Sequence, residues 1–282
     1  MKYLIFIFVL LTSCTGAGES QVEKKQILLT KQDSLKIETY IEKAYKSDLG
    51  SQNYQKYLDS VLMIKPDSAY IWQQKAMPLY KARKYSIGKP FLQKAADLDP
   101  QNWLSYSAFM KCLFSKEYEE SIAEFMEMKE KFGDSYVMDH TYNFYMALDY
   151  LQLNRFAKAK AFLLKSKEQQ FADFPDDPPH EACHYMDWFY LGIAEMELQN
   201  YEEAVKMFDT SLLVYTNFAD AMLYKAICLN HLGEKEEATA LYDKAIENKE
   251  NTINEDQVYY EIYPYQAFNR LSSFSRLESQ RK

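Results

Sequence analysis

A four-position pattern recurs along this chain and constrains its fold more than any other feature. It consists of an aromatic residue, a small residue three places on, a bulky one at plus seven and a small or apolar one at plus ten. Tyr85, Gly88, Leu92 and Ala95 satisfy it, as do Tyr118, Ser121, Phe125 and Met128. Phe156, Ala159, Leu163 and Ser166 follow, then Tyr201, Ala204, Phe208 and Ser211. Lys235, Ala238, Tyr242 and Ala245 keep the last three positions, and Ser51, Tyr54, Leu58 and Val61 form a weaker copy upstream. The copies start 34, 33, 38, 45 and 34 residues apart. Steps of three, four and three hold all four positions on one face of a helix. About 12 to 15 residues before each copy runs another amphipathic stretch, such as Trp72, Ala76 and Leu79 or Trp188, Leu191 and Gly192. Each unit therefore reads as two antiparallel helices joined by a short turn. With only 7 Gly and 8 Pro in 282 residues, the chain lacks the turn residues of a sheet protein. The expected fold is all-α, with about 65 to 75% helix against a base rate of about one third.

This arrangement resembles the tetratricopeptide repeat (TPR). That family places Trp, Leu, Gly and Tyr on a first helix, Ala, Phe and Ala on a second, and Pro at the end of the unit. Trp72, Ala76, Leu79, Gly88, Leu92, Ala95 and Pro100 fall in that order, as do Trp188, Leu191, Gly192, Ala204 and Phe208, and Pro66 and Pro100 stand 34 apart. The resemblance implies a right-handed superhelical array of about six TPR-like helix pairs over residues 35–250, closed by a C-terminal cap. The Tyr-rich segment 251–282 suits that cap, because the last unit of an array has an open apolar face. Some residues depart from the family pattern. Lys75 stands where the family has Leu. Pro78 and Pro90 fall in helix interiors, so the second unit is expected to kink or its second helix to start late, near Gly88. The 45-residue spacing predicts an insertion loop near 167–182, where Asp173-Phe174-Pro175-Asp176-Asp177-Pro178-Pro179 breaks a helix.

The first residues are of another kind. Lys2 precedes the apolar run Tyr3 to Leu11, too short for a membrane-spanning helix, and then come Thr12, Ser13 and Cys14. Residues 1–13 read as a secretory signal, and Leu11-Thr12-Ser13-Cys14 resembles the lipobox of bacterial lipoproteins. That resemblance implies lipidation of Cys14, and acyl chains there would anchor the protein stably. Residues 14–34 are expected to be a flexible tether. Thr15 in place of Asp implies the outer membrane, with the protein facing the periplasm. The chain as a whole is similar to repeat lipoproteins of Bacteroidota.

Chemistry is harder to find. There is no Gly-rich phosphate loop, paired-histidine zinc helix or nucleophile elbow, so no catalytic residue and no cofactor is assigned. A net charge of −8 without a basic stripe argues against nucleic acid. The densest polar cluster is His180, Glu181, Cys183, His184 and Asp187, with His180 and His184 four apart as on one helical turn. His180, Cys183 and His184 are weak metal candidates, and a capping, solvated segment is the plainer reading. Cys112 and Cys228 read as small buried hydrophobes. In the resembled family, positions 2, 5, 9 and 12 of each first helix face the groove. They correspond here to Tyr70, Gln73, Met77 and Tyr80, then Leu104, Ser107, Lys111 and Phe114, then Phe144 and Leu148, then Phe189 and Ile193. Gln73 and Met77 replace the Lys and Asn with which some relatives clamp a carboxylate. The implied function is a scaffold binding a protein or peptide partner in an aromatic groove, unless the superhelix closes or the tail covers these residues. An envelope enzyme or metal-binding protein using the His180 to Asp187 segment is the alternative.

Overall fold

The structure, a computed structural model, describes residues 29–253 and 261–268, so Cys14 and the signal segment lie outside the described residues. Six helix pairs follow one another: α1 (Lys31–Tyr45) with α2 (Gln52–Ile64), α3 (Ala69–Lys81) with α4 (Tyr85–Leu98), and α5 (Pro100–Met110) with α6 (Tyr118–Phe132). Next come α7 (Tyr142–Gln152) with α8 (Phe156–Asp173), α9 (Tyr185–Glu197) with α10 (Tyr201–Val214), and α11 (Ala219–Leu232) with α12 (Lys235–Glu247). Each helix packs mainly on its neighbours in sequence, as a stacked array requires. The described residues are 73% helical, as the repeat demands.

The register of the array is written in its turns. Arg83, Lys116, Asn154, Gln199 and Gly233 all have left-handed backbones and all stand two residues before a second helix. Their spacings of 33, 38, 45 and 34 reproduce those of the sequence pattern. After four of these first helices, an amide reaches back five residues to a carbonyl: Lys84 to Leu79, Arg155 to Tyr150, Asn200 to Glu195 and Glu234 to Leu229. In the third unit the bond runs six residues, from Glu117 to Lys111, because Lys111–Ser115 winds as a π-helix. One extra residue is thus held inside that first helix.

Second helices bury the residues the pattern picked out. Gly88, Leu92 and Ala95 of α4, Ala159, Leu163 and Ser166 of α8, and Ala204, Phe208 and Ser211 of α10 are all buried. At Gly192 a β-carbon would stand 2.5 Å from the Phe208 ring, so this glycine permits the close crossing of α9 and α10. Buried Lys75 is satisfied by Asp59 at 2.5 Å and lies 4.9 Å from the centre of the Phe91 ring.

Several local expectations are corrected. Both helices of the second unit run through their prolines, and α4 begins at Tyr85, not near Gly88. The 45-residue spacing is met partly by lengthening α8 to 18 residues, so the non-helical insertion starts only at Phe174. The extra residues before α7 form a hairpin of β1 (Tyr136–Val137) and β2 (His140–Thr141), which the sequence pattern did not indicate. Helix α1 starts at Lys31, inside the stretch read as tether.

Candidate peptide-binding channel

First helices in the middle of the array are buried all round. Every residue of α7 from Tyr142 to Leu151 and of α9 from Met186 to Glu195 is buried. In a pair of helices only one side of each faces its partner, so the remaining side must be covered by something else. Over α7 that cover includes the β1–β2 hairpin, whose Met138 carbonyl accepts from the Tyr145 hydroxyl at 3.1 Å. Over α9 and α11 it is the segment 261–268, which runs without helix or strand.

Successive residues of that segment step along the array. Glu261 pairs with Arg83 at 3.0 Å and accepts from the Tyr85 hydroxyl. The Ile262 carbonyl accepts from Lys116 Nζ at 3.0 Å, and the Pro264 carbonyl accepts from the buried Tyr190 hydroxyl at 2.8 Å. Tyr265 donates to Glu197 at 2.7 Å and meets the Tyr224 ring edge-on at 5.9 Å. Asp220 accepts the amide of Ala267 at 2.6 Å and that of Phe268 at 3.4 Å, while its other oxygen accepts from Thr252 at 2.6 Å. Burial pushes the Asp220 carboxyl up, and these donors act against the rise. Tyr263 is buried in the main core. The C-terminal segment does pack on the array, but its described part lies along the first helices. On the outer side of α12, Tyr242 and Ile246 are 49% and 42% exposed.

Of the twelve groove residues expected from sequence, ten are buried: Gln73, Tyr80, Leu104, Ser107, Lys111, Phe114, Phe144, Leu148, Phe189 and Ile193. Met77 is half-buried and accepts from the Tyr106 hydroxyl. Tyr70 is exposed, bonded to the Tyr45 hydroxyl at 2.6 Å and tilted against Trp103. Leu104, Ser107 and Lys111 lie 34 residues beyond Tyr70, Gln73 and Met77 of α3. A spacing of 33 at the turn, less the extra π-helical residue, makes Asn102, Ser105 and Phe109 the counterparts of Tyr70, Gln73 and Met77. Leu104, Ser107 and Lys111 are therefore two places out of register, and Lys111 instead forms a buried pair with Glu124 of α6 at 2.5 Å. The residues that do hold the segment, Tyr190 and Tyr224, stand one place beyond Phe189 and Leu223. Sequence reasoning also missed Asp220, although it occupies position 2 of α11 once the repeat is extended to that helix.

The polar cluster is rearranged as well. His180 to Cys183 lie outside a helix, and His180 is 39% exposed beside Glu181, so His180 and His184 do not share a helical turn. Cys183 is buried, and burial pushes its thiol far up. The residue that joins His184 and Asp187 is His140 of β2.

Residues 190–251 match the tetratricopeptide repeat family. No curated protein matches the chain. Among solved structures, a tetratricopeptide repeat protein from Parabacteroides merdae superposes with a TM-score of 0.59 at 15% identity, over 76% of this chain and 80% of that one. PilW, described as a type IV pilus biogenesis factor, gives 0.55 at 16% identity over 76% and 91%. The pilF protein of Pseudomonas aeruginosa gives 0.54 at 17% over 75% and 90%. At such identities the likeness is one of fold.

Proposed function

We propose that this TPR-type array is a lipid-anchored envelope scaffold that holds an extended segment of a partner protein against its first helices. The observation that carries the reading is the chain's own segment 261–268 seated there. Its main-chain groups are met by Lys116, Tyr190 and Asp220. Contacts to carbonyls and amides accept any extended chain, and the pockets for Tyr263 and Tyr265 add a preference for aromatic side chains. The chain is read as a scaffold and not as an enzyme. PilW, similar in fold, is a type IV pilus biogenesis factor, and an assembly role in the envelope accords with a peptide-holding array.

The anchor rests on sequence alone: the apolar run to Leu11 and the Thr12-Ser13-Cys14 stretch support acylation of Cys14, with the protein on the outer membrane facing the periplasm. Cys14→Ala is expected to abolish fatty-acid labelling and release the protein from membranes; an unlabelled, soluble wild type would refute the anchor.

The scaffold reading is tested by recovering partners from envelope extracts. A Tyr263→Ala/Tyr265→Ala variant, whose tail is loosened, is expected to retain more partner than wild type. Added peptide spanning residues 259–268 should displace that partner. Equal recovery in every case would place partner binding elsewhere.

A further inference from the structure

Between α7, α8 and α9 lies a buried polar cluster that the channel does not use. His140 reaches it from the hairpin, where Met138 and Asp139 both take left-handed backbones at φ 45° and 70°. Its ring stacks on Phe144 at 4.0 Å between centroids and stands perpendicular to His184 at 4.7 Å. His184 is the N-cap of α9, and Asp187 lies in its first turn. We propose that His140, His184 and Asp187 form a binding site for a divalent transition-metal ion of the zinc class.

The strongest support is a pair of orphaned atoms. His140 Nδ1 and Asp187 Oδ2 are buried, have no hydrogen-bond partner and face each other at 4.0 Å. That gap is too long for a hydrogen bond. Leaving two such groups unsatisfied in a core is costly, and a cation between them satisfies both. One ligand atom from each of the three residues lies within 4.8 Å of the others. Around a tetrahedral zinc with bonds of about 2.0–2.2 Å, neighbouring ligands stand about 3.4 Å apart. The side chains must therefore draw in by about an ångström. Two imidazoles and one carboxylate are the donors such an ion takes, and they leave its fourth position to water.

Outer contacts orient the set as they do around ligands elsewhere. The Ser166 hydroxyl donates to Asp187 Oδ1 at 2.5 Å, so Oδ2 is the oxygen left for an ion. Thr141 Oγ1, 2.7 Å from Ser166 Oγ, completes that chain. His184 gives up most on binding, because its Nδ1 already accepts from Met186 N–H, though at a long 3.3 Å.

The test uses the full chain, stripped with a chelator and titrated with zinc against a colorimetric competitor, then with cobalt as a visible probe. One equivalent is expected to bind with micromolar or tighter affinity, cobalt should show tetrahedral absorption, and zinc should raise the Tm. His140→Ala and Asp187→Asn should each weaken binding at least ~10-fold. A His180→Ala/His231→Ala double variant, which removes the other two of the 4 histidines, should bind as wild type does. If the ligand variants fail to fold, nuclear magnetic resonance of wild type decides: one equivalent of zinc must shift the rings of His140 and His184 and leave those of His180 and His231. No stoichiometric binding by wild type, binding undiminished in folded His140→Ala, or loss in the double variant would each overturn the site.

Discussion

The first helices at the centre of the array and the second helices beside them are buried in different ways. Helix α9 hides every residue from Met186 to Glu195, whereas α10 hides only Ala204, Phe208 and Ser211. Likewise α7 hides Tyr142 to Leu151, and α8 only Ala159, Leu163, Ser166 and Gln170. A second helix faces the array on one side and water on the other. A central first helix has no watery side, because the hairpin before α7 and segment 261–268 close what an open superhelix would leave as a groove. The periodic part of the chain builds the channel, and its non-periodic parts fill it.

The sharpest test of the contrast is truncation where the two kinds of helix meet. Phe208→Ala is expected to destabilise by about 3–5 kcal/mol, measured by denaturant unfolding, because its ring is fully enclosed against α9. An equal loss from Leu213→Ala, on the watery side of α10, would break the comparison, since that change should cost no more than about 0.5 kcal/mol. Gly192→Ala should cost about 1–3 kcal/mol because Phe208 must move, while Gly50→Ala meets nothing within 4 Å and should be near neutral.

All-round burial also encloses a carboxyl. Asp149 on α7 is fully buried, and burial raises its pKa well above the ordinary 3.8 against the opposing pull of nearby Ser121, Cys112 and Lys116. An acid with a raised folded-state pKa contributes its full stability below the unfolded value and loses it as pH rises toward the folded one. Asp149→Asn carries no such loss. Its stability minus that of wild type should therefore increase as pH rises from about 4 to 8; a flat difference would mean that water reaches α7. The smallest expected effect is at the tail. Tyr190→Phe removes the bond to the Pro264 carbonyl, should cost about 0.5–1.5 kcal/mol, and should speed hydrogen exchange at the amides of Ala267 and Phe268.

The second helices could be read residue by residue, because a half-buried helix writes a 3.6-residue period into its sequence. Helices α7 and α9 are buried on every side, so nothing in Phe144 or Phe189 distinguishes a groove from a covered core. The π-helix at Lys111–Ser115 shifts the register inside one helix, invisibly to a rule that counts 34 residues. His140 was missed as a companion of His184 because 44 residues separate them and a short hairpin, not a repeat, carries it inward. Asp220 was readable, since its position in the unit is fixed by Gly233 at the following turn.

Segment 261–268 lies along the first helices, and in the function proposed above it marks where a partner segment docks. A photo-crosslinking amino acid at position 263 of the full chain, with crosslinks mapped by mass spectrometry, tests this directly. Crosslinks to α9 and α11 are expected, fading as the partner is added and reappearing on the partner itself. Crosslinks confined to the outer face of α12, or unchanged by a bound partner, would contradict it.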